Sequence, residues 1–433
     1  MPLARMRPGI GAQACRNFNS ESIVGAVPMS IDALRCRVCE SEYPAVASGV
    51  CVRCFGPLEP VYDWAHVAAE ATRERIEAGP RSLWRYEALL PTAAPPDAHA
   101  GPGWTPLVPA PRLARALGVG EVFLKLDHVN PTHSFKDRVV AVASAKAAEL
   151  GADTLACAST GNLGNAVAAR AAASGMRAVV LYPATVEPEK LLTTSVFGAE
   201  MYAVRGSYDD CSRLVVELAG EVDWAFVNVN LRAYYAEGSK TLAFEISEQL
   251  GWETPDAVVA PVASGSMFTK LWQGFEQFRQ LELVDGPSPR LYGGQAAGCS
   301  PVARAFDEER PVSPVRPDTV AHSLAIGAPA DGDLAVATAR ASGGAVYAVP
   351  EEDVGPNMSL LASLTGIFGE TAAGVTVGAL RAAAASGEIG EGDRVVVLVT
   401  GTGLKTPQLV DTRDGAEIEA DVDALLEGLG VSA

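Results

Sequence analysis

Short apolar runs alternate with alanine-rich helical stretches between residues 121 and 399, and this alternation constrains the fold more than any other feature. The apolar runs lie at residues 122–126, 155–157, 178–182, 201–204, 225–229, 257–260 and 394–399. Strands that alternate with helices form parallel sheets whose two faces are covered by helices. We therefore predict an α/β fold, with ligands bound beyond the carboxyl ends of the strands.

Length and charge narrow the classes of protein to which the chain can belong. With 433 residues it exceeds a single hydrophobic core, so we expect two sizeable domains and an accessory segment. Its net charge of −18 argues against nucleic acid, which binds to basic surfaces. The longest apolar runs are too short to span a membrane. We predict a cytoplasmic protein with neither a nucleic-acid nor a membrane partner.

The first twenty residues contain Arg5, Arg7 and Arg16 but no acidic residue, which is also a feature of transit peptides. The alternative is an extension without structure of its own, in keeping with its content of alanine, glycine and proline. We favour this alternative and predict a flexible N-terminal extension over residues 1–30.

Four of the eight cysteines form two pairs. Cys36 and Cys39 make one Cys-x-x-Cys pair, Cys51 and Cys54 make another, and eleven residues separate the pairs. This spacing is typical of a zinc ribbon, in which four thiolates surround one ion. Redox-active or merely buried pairs are the alternatives. Four thiols leave no open position on the metal, so the zinc would be structural. The remaining cysteines are interpreted as free thiols: Cys15, Cys157, Cys211 and Cys299.

One lysine stands at the start of an alanine-rich helix, in the segment Asn-Pro-Thr-His-Ser-Phe-Lys-Asp-Arg at residues 130–138. A lysine amine has a pKa near 10.4 and becomes a useful nucleophile when it loses solvent or meets a carbonyl cofactor. Lys136 is therefore the candidate for a Schiff-base lysine. We expect Asp137 and Arg138 to pair and to orient this helix, and His133 to be a hydrogen-bonded histidine or, alternatively, a proton carrier.

Three further segments place small polar residues at strand ends. Residues 159–165, Ser-Thr-Gly-Asn-Leu-Gly-Asn, open a second alanine-rich helix whose N-terminus would hold a carboxylate. Residues 263–266, Ala-Ser-Gly-Ser, would donate backbone N–H groups to a phosphate, or else form a turn without a ligand. Thr400 follows an apolar strand, and its hydroxyl would face a ligand or cap a turn.

Four motifs together make the chain resemble the threonine synthases of the pyridoxal-phosphate fold type II family, in the variety with an N-terminal cysteine ribbon. The motifs are PTHSFKDR at 131–138, STGN at 159–162, EGSKT at 237–241 and TGTGLK at 400–405. The resemblance covers most of residues 36–407. The chain departs from the family where serines replace a loop usually rich in glycine and asparagine, and where Ala328 stands in place of an asparagine.

The resemblance implies two parallel-sheet α/β domains with the active site between them. The implied division is a ribbon at 31–64, a large cofactor-binding domain at 65–142 and 255–412, a small inserted domain at 143–254, and a tail or helix at 413–433. It also implies a homodimer.

The resemblance further implies the residues that hold pyridoxal 5′-phosphate. Lys136 would be the Schiff-base lysine and the mobile acid and base, and Phe135 would pack beside the ring. Asn162 would bond the phenolic oxygen of the cofactor, and Thr400 would face its pyridine nitrogen. The cofactor phosphate would be held by Ser264, Gly265 and Ser266.

The implied reaction converts O-phosphohomoserine and water to threonine and phosphate. Ser159, Thr160 and Gly161 would hold the substrate carboxylate, and Lys240 would meet the substrate phosphate unless it is a buried structural lysine. Two alternatives remain within the fold type II family: elimination from serine or threonine, and β-replacement on a phosphorylated or acetylated serine. A zinc-stapled binding protein without catalysis is the alternative from another class.

Overall fold

Three sheets organise the part of the chain that the computed structural model describes, which is residues 31–46, 49–96, 101–159, 161–186, 188–410 and 415–430. The strands are β1 (Ile31–Cys36), β2 (Glu42–Tyr43), β3 (Leu58–Tyr62), β4 (Leu107–Pro109), β5 (Glu121–Leu126), β6 (Thr154–Ala158), β7 (Arg177–Pro183), β8 (Glu200–Val204), β9 (Ala225–Phe226), β10 (Ala257–Pro261), β11 (Arg290–Ala296), β12 (Val346–Val349) and β13 (Arg394–Val399). The predicted extension, 1–30, and Thr160 lie outside the described residues.

Helices cover the sheets. They are α1 (Trp64–Glu70), α2 (Arg73–Ala78), α3 (Pro111–Leu117), α4 (Lys136–Glu149), α5 (Asn162–Ser174), α6 (Pro188–Ser195), α7 (Tyr208–Leu218), α8 (Arg232–Glu237), α9 (Thr241–Gln249), α10 (Ser266–Gln280), α11 (Pro301–Asp307), α12 (Gly332–Ala341), α13 (Glu351–Thr365), α14 (Thr371–Ala385) and α15 (Val422–Gly428). Among the described residues, no helix has both the length and the apolar character that crossing a bilayer requires.

The sheet topology confirms the predicted α/β class. The largest sheet has the order β12-β11-β10-β13-β5-β4 and is parallel except for β4, which pairs antiparallel with β5. A second sheet, β8-β7-β6-β9, is parallel throughout, and the ribbon strands form the antiparallel sheet β2-β1-β3. The second sheet comes from the middle of the chain, between β5 and β10. The boundaries of the implied insertion, 143–254, stay a prediction.

The central strands are fully apolar because helices cover both of their faces. All five residues of β10 are buried, as are the last five of β13. Strand β13 lies between β10 and β5, with Val395 opposite Ala257 on one side and Val122 on the other. The carboxyl ends of β10 and β13 therefore reach the same edge of the sheet.

A buried ionic cluster joins α4 to β5 and α9. Arg138 donates to Asp127 through Nε and Nη2, both at 2.8 Å, and to Glu245 through Nη1 and Nη2, at 2.5 and 2.8 Å. Lys125 Nζ donates to Glu245 Oε2 at 2.6 Å. These four side chains are at most 1% exposed, and their formal charges cancel. Burial alone would raise the pKa of Glu245, but Arg138 and Lys125 lower it to about 2.

The expected pair between Asp137 and Arg138 is wrong. Asp137 accepts hydrogen bonds from the backbone N–H and the hydroxyl of Thr132, at 2.8 and 2.9 Å, and so closes the turn before α4. Arg138 points toward the ionic cluster instead. Successive residues of a helix do not face each other, and the two side chains therefore reach different neighbours.

We predict that Arg138→Met lowers the free energy of unfolding by about 3–5 kcal/mol, because Asp127 would stay buried without its cationic partner and Glu245 would keep only Lys125. Arg213→Met is the matched control, since Arg213 pairs with Glu217 while 59% exposed, and should cost at most about 0.5 kcal/mol. Urea unfolding of both variants measures the difference. Similar losses in the two variants would contradict a stabilising role for the cluster.

Candidate active site

A cleft of about 640 Å³ opens where β10 and β13 end. It brings together residues from distant parts of the sequence, because parallel strands deliver their carboxyl ends to one edge. Seven residues predicted to bind the cofactor line it: Phe135, Lys136, Asn162, Ser264, Gly265, Ser266 and Thr400.

Lys136 is the first residue of α4, and its side chain enters the cleft. The preceding turn is tied to the end of β13, because Phe135 N–H donates to the Thr400 carbonyl at 2.8 Å. The Lys136 Nζ lies 3.2 Å from the Tyr235 hydroxyl. Burial alone would lower the pKa of Lys136, but Tyr235 and Glu370 outweigh this effect and the pKa lies above its ordinary value. The amine is thus held by its neighbours in a defined position.

The turn at 264–266 offers an anion site at the start of α10. Gly265 has φ +89°, and a Cβ there would lie 2.6 Å from the Asp331 carbonyl oxygen. Only glycine fits this close approach comfortably. No side chain in the described part of the chain caps this end of α10, so the N–H groups of its first turn are open to a phosphate.

Two hydroxyls in the cleft wall have no partner among the described residues. Ser134 Oγ and Ser323 Oγ are both buried without a hydrogen bond, and both residues line the cleft. Buried polar atoms are normally satisfied, so an unpaired pair in a cavity wall indicates a ligand. The Lys136 amine fits the aldehyde of pyridoxal phosphate, and the open N-terminus of α10 fits its phosphate.

Sequence reasoning missed two residues of the site. Tyr235 lies on α8, two residues before the EGSKT motif, and Glu370 precedes α14; both line the cleft. Both carboxylate oxygens of Glu370 lie 3.0 Å from Asn162 Nδ2. Neither residue belongs to a recognisable motif, and no local spacing in the sequence points to them.

The predicted carboxylate cradle is only partly in the cleft. Ser159 Oγ accepts from the backbone N–H groups of Gly161 and Gly164, at 2.9 and 2.8 Å, and thereby caps α5. Ser159 is 2% exposed and is not among the lining residues, nor is Gly161. Of the motif residues that the structure describes, Asn162 reaches the cleft. This placement favours a structural role for Ser159.

Lys240 is placed away from the cleft. Its Nζ donates to the Leu89 carbonyl at 3.0 Å and the Tyr62 hydroxyl at 3.2 Å, and lies 2.5 Å from Glu237 Oε2. Burial lowers the pKa of Lys240 to about 8, against the opposing effect of Glu237. Its neighbour Ser239 lines the cleft instead. The arrangement argues against the predicted phosphate contact of Lys240, because its ammonium is already fully engaged.

The four ribbon cysteines form a cluster, and none of them lines the cleft. The Sγ atoms of Cys36, Cys39, Cys51 and Cys54 all lie within 4.8 Å of one another. Four thiolates around zinc, at about 2.3 Å from the ion, require sulfur separations of this kind. Backbone N–H groups at Val38 and Arg53 also point at two of the sulfurs, each at 3.4 Å. The donor set fits one tetrahedral metal ion.

Comparisons with known proteins agree with this geometry. The profile of the family described as "Pyridoxal-phosphate dependent enzyme" matches residues 99–401. Threonine synthase of Methanosarcina acetivorans is 35% identical over 402 residues, covering 92% of this chain and 98% of the relative. Threonine synthase of Methanocaldococcus jannaschii is 33% identical, covering 90% and 98%, and that of Synechocystis sp. is 38% identical, covering 75% and 83%.

Solved structures show the same fold at lower identity. A processed threonine deaminase from Solanum lycopersicum superposes with a TM-score of 0.60 at 19% identity, covering 70% of this chain and 81% of that one. An O-ureido-L-serine synthase superposes with a TM-score of 0.58 at 23% identity, covering 75% and 96%. The extent of these matches shows that the chain belongs to the pyridoxal-phosphate dependent enzymes and, among them, to the threonine synthase family.

Proposed function

We propose that the protein is a pyridoxal-phosphate dependent lyase that converts O-phosphohomoserine and water to threonine and phosphate. The main structural support is the position of Lys136, whose amine enters a cleft beside the open N-terminus of α10 and the end of β13. The likeness to threonine synthases over nine tenths of the chain supports this choice of reaction.

Each part of the cofactor has residues suited to it. Lys136 would hold the aldehyde carbon, and the first turn of α10 would hold the phosphate. Thr400, which is 7% exposed, would present its hydroxyl to the ring nitrogen, and Phe135 would pack beside the ring. When bound, the cofactor delocalises negative charge from the substrate carbons into its ring.

The proton transfers of the reaction fall to Lys136. The phosphate group leaves Cγ and water adds at Cβ, so protons have to move among neighbouring substrate carbons. A single mobile amine can reach several of these positions. The Tyr235 hydroxyl, 3.2 Å from Nζ, orients the amine and can exchange a proton with it. Asn162 would direct its side-chain N–H at the phenolic oxygen of the cofactor.

The alternatives within the fold type II family are less favoured. A threonine deaminase from Solanum lycopersicum and a serine racemase from maize share the fold, each at 19% identity. The threonine synthases are 33–38% identical. Purified, cofactor-loaded protein should be incubated separately with O-phosphohomoserine, phosphoserine, acetylserine, serine and threonine. Threonine and phosphate should form together from O-phosphohomoserine; turnover of the other compounds alone would overturn the proposal.

We predict that Lys136→Ala lowers kcat by at least about a thousandfold, because both the cofactor attachment and the mobile proton carrier are lost. Phosphate release measures the rate, and the thermal midpoint checks the fold. Borohydride reduction of the wild-type protein should fix the cofactor on the peptide that contains Lys136. Fixation on another lysine would reject the assignment.

We also propose that the cysteine cluster holds one structural zinc ion. Its four sulfurs lie within 4.8 Å of one another, and the ribbon strands β1, β2 and β3 form a very small sheet. A segment of this size needs a bound metal or a covalent cross-link to stay folded, because it cannot bury a sufficient hydrophobic core of its own.

The zinc proposal predicts one zinc ion per chain in protein purified without a chelator. Cys51→Ser should lose most of the metal and lower the thermal midpoint. In the fraction of the variant that stays folded, the rate of the chemical step should change less than the stability does. Cys211→Ser is the matched control, because Cys211 is a buried free thiol outside the ribbon, and it should retain the metal. Equal metal contents in the two variants would refute the site.

Assembly and location complete the proposal. We propose a homodimer that works in the cytoplasm on a small phosphorylated amino acid, without a nucleic-acid or membrane partner. The net charge of −18 supports the exclusion of nucleic acid. We also retain the implied division into a ribbon, a large domain and an inserted domain at 143–254. Light scattering of the purified protein measures the oligomeric state.

A further inference from the structure

The Asn162 side chain is held at both ends by buried charged groups. Lys405 Nζ donates to its Oδ1 at 2.9 Å and to the Thr132 carbonyl at 2.7 Å. On the other side, Nδ2 lies 3.0 Å from each carboxylate oxygen of Glu370. Lys405 is 4% exposed and Glu370 is 2% exposed. The amide therefore lies between an ammonium and a carboxylate that are both shielded from water.

This arrangement permits one orientation of the amide. An ammonium can only donate hydrogen bonds and a carboxylate can only accept them. Turning the amide over would bring Nδ2 against the Lys405 ammonium and Oδ1 against the Glu370 carboxylate, so that Lys405 would keep only the Thr132 carbonyl and the buried carboxylate would lose the hydrogen bond from Asn162. Such a loss is costly where water cannot compensate.

The locked orientation leaves one N–H for a ligand. Since the two oxygens of Glu370 lie at equal distances from Nδ2, a single N–H directed between them satisfies the carboxylate. The amide nitrogen carries a second hydrogen, and Asn162 lines the cleft. That second N–H is then available to an acceptor in the cleft.

Both charged residues are fastened to the strand end that carries Thr400. Glu370 N–H donates to the Gly401 carbonyl at 3.0 Å, and Gly369 pairs with Thr402 in an isolated bridge. A Cβ at position 401 would overlap the Glu370 carboxylate, so a larger residue there would displace that carboxylate. The GLKT segment that follows carries Lys405. The same loop thus fixes the ring-facing threonine and both groups that hold Asn162.

We propose that Glu370 and Lys405 are positioning residues that orient the Asn162 amide, so that one N–H faces the phenolic oxygen of the bound cofactor. The inference rests on the proposed function, because it needs the cofactor in the cleft. Lys405 is assigned no contact with cofactor or substrate; it acts through Asn162. Burial lowers the pKa of Lys405 to about 8, and Glu370 and Asp137 oppose this effect.

A double-mutant cycle tests whether Lys405 acts through Asn162. Its four members are the wild type, Asn162→Ala, Lys405→Met and the double variant, each prepared as holoenzyme. Two quantities are measured without reference to turnover: the Kd of pyridoxal phosphate and the pH midpoint of the visible absorption of the bound cofactor. A hydrogen bond to an anionic oxygen stabilises the anion, so its loss should raise that midpoint.

Each single variant should weaken cofactor binding by about tenfold or more, the usual effect of one hydrogen bond to a charged group. The double variant should be within about twofold of Asn162→Ala, because Lys405 has nothing left to orient. Lys405→Arg, which keeps a donor, should recover part of the loss. Lys146→Met removes a buried lysine outside the cleft and should leave the pH midpoint unchanged.

Additive effects would overturn the inference, since Lys405 would then act on the cofactor directly through its charge. If Lys405→Met does not fold, Glu370→Ala takes its place in the same cycle, with the same non-additivity expected. A wild-type protein that shows no visible absorption with pyridoxal phosphate would instead refute the proposed function. The two failures are therefore distinguishable.

Discussion

The buried cluster around Arg138 determines where the reactive amine stands. Arg138 lies two residues after Lys136 on α4, and its guanidinium is bonded to Asp127, which follows β5, and to Glu245 on α9. Because a helix is rigid over so short a distance, a fixed Arg138 also fixes the start of α4. Burying these charges costs desolvation energy, so the cluster need not add much net stability. It fixes the structure because breaking it leaves a buried charge unpaired, and because one arrangement satisfies all four side chains.

A second buried cluster joins the ribbon to the other wall of the cleft. The Tyr62 hydroxyl, at the end of β3, donates to Glu237 at 2.6 Å, and the Tyr234 hydroxyl donates to the Val46 carbonyl at 3.0 Å. Glu237 and Tyr234 belong to α8, the helix that also places Tyr235 beside the Lys136 amine. No described residue of the ribbon lines the cleft, yet the ribbon contacts the helix that carries Tyr235. A metal ion in the ribbon would thus influence the reaction through the position of α8, without contacting the reacting groups.

The sequence predicts the cleft residues well where a motif directly follows a strand. It predicts them poorly where the direction of a side chain depends on which face of a helix carries it. Thr400 and the turn at 264–266 meet because parallel strands share an edge, a rule that needs no coordinates. Lys240 belongs to a motif that does reach the cleft, through Ser239, but its own side chain turns toward the ribbon. Glu370 is 208 residues from Asn162, and no local pattern reports a contact of that separation.

The cleft wall constrains how a substrate phosphate can be held. Among the described residues that line it, Lys136 is the one cation, and the cofactor would engage it. A phosphate with about two negative charges then has to be met by hydroxyl and backbone donors. Ser134 and Ser323 carry unpaired hydroxyls there, and Ser239 lies in the same wall. Preorganised neutral donors shielded from water stabilise an anion strongly and need not rearrange as it departs.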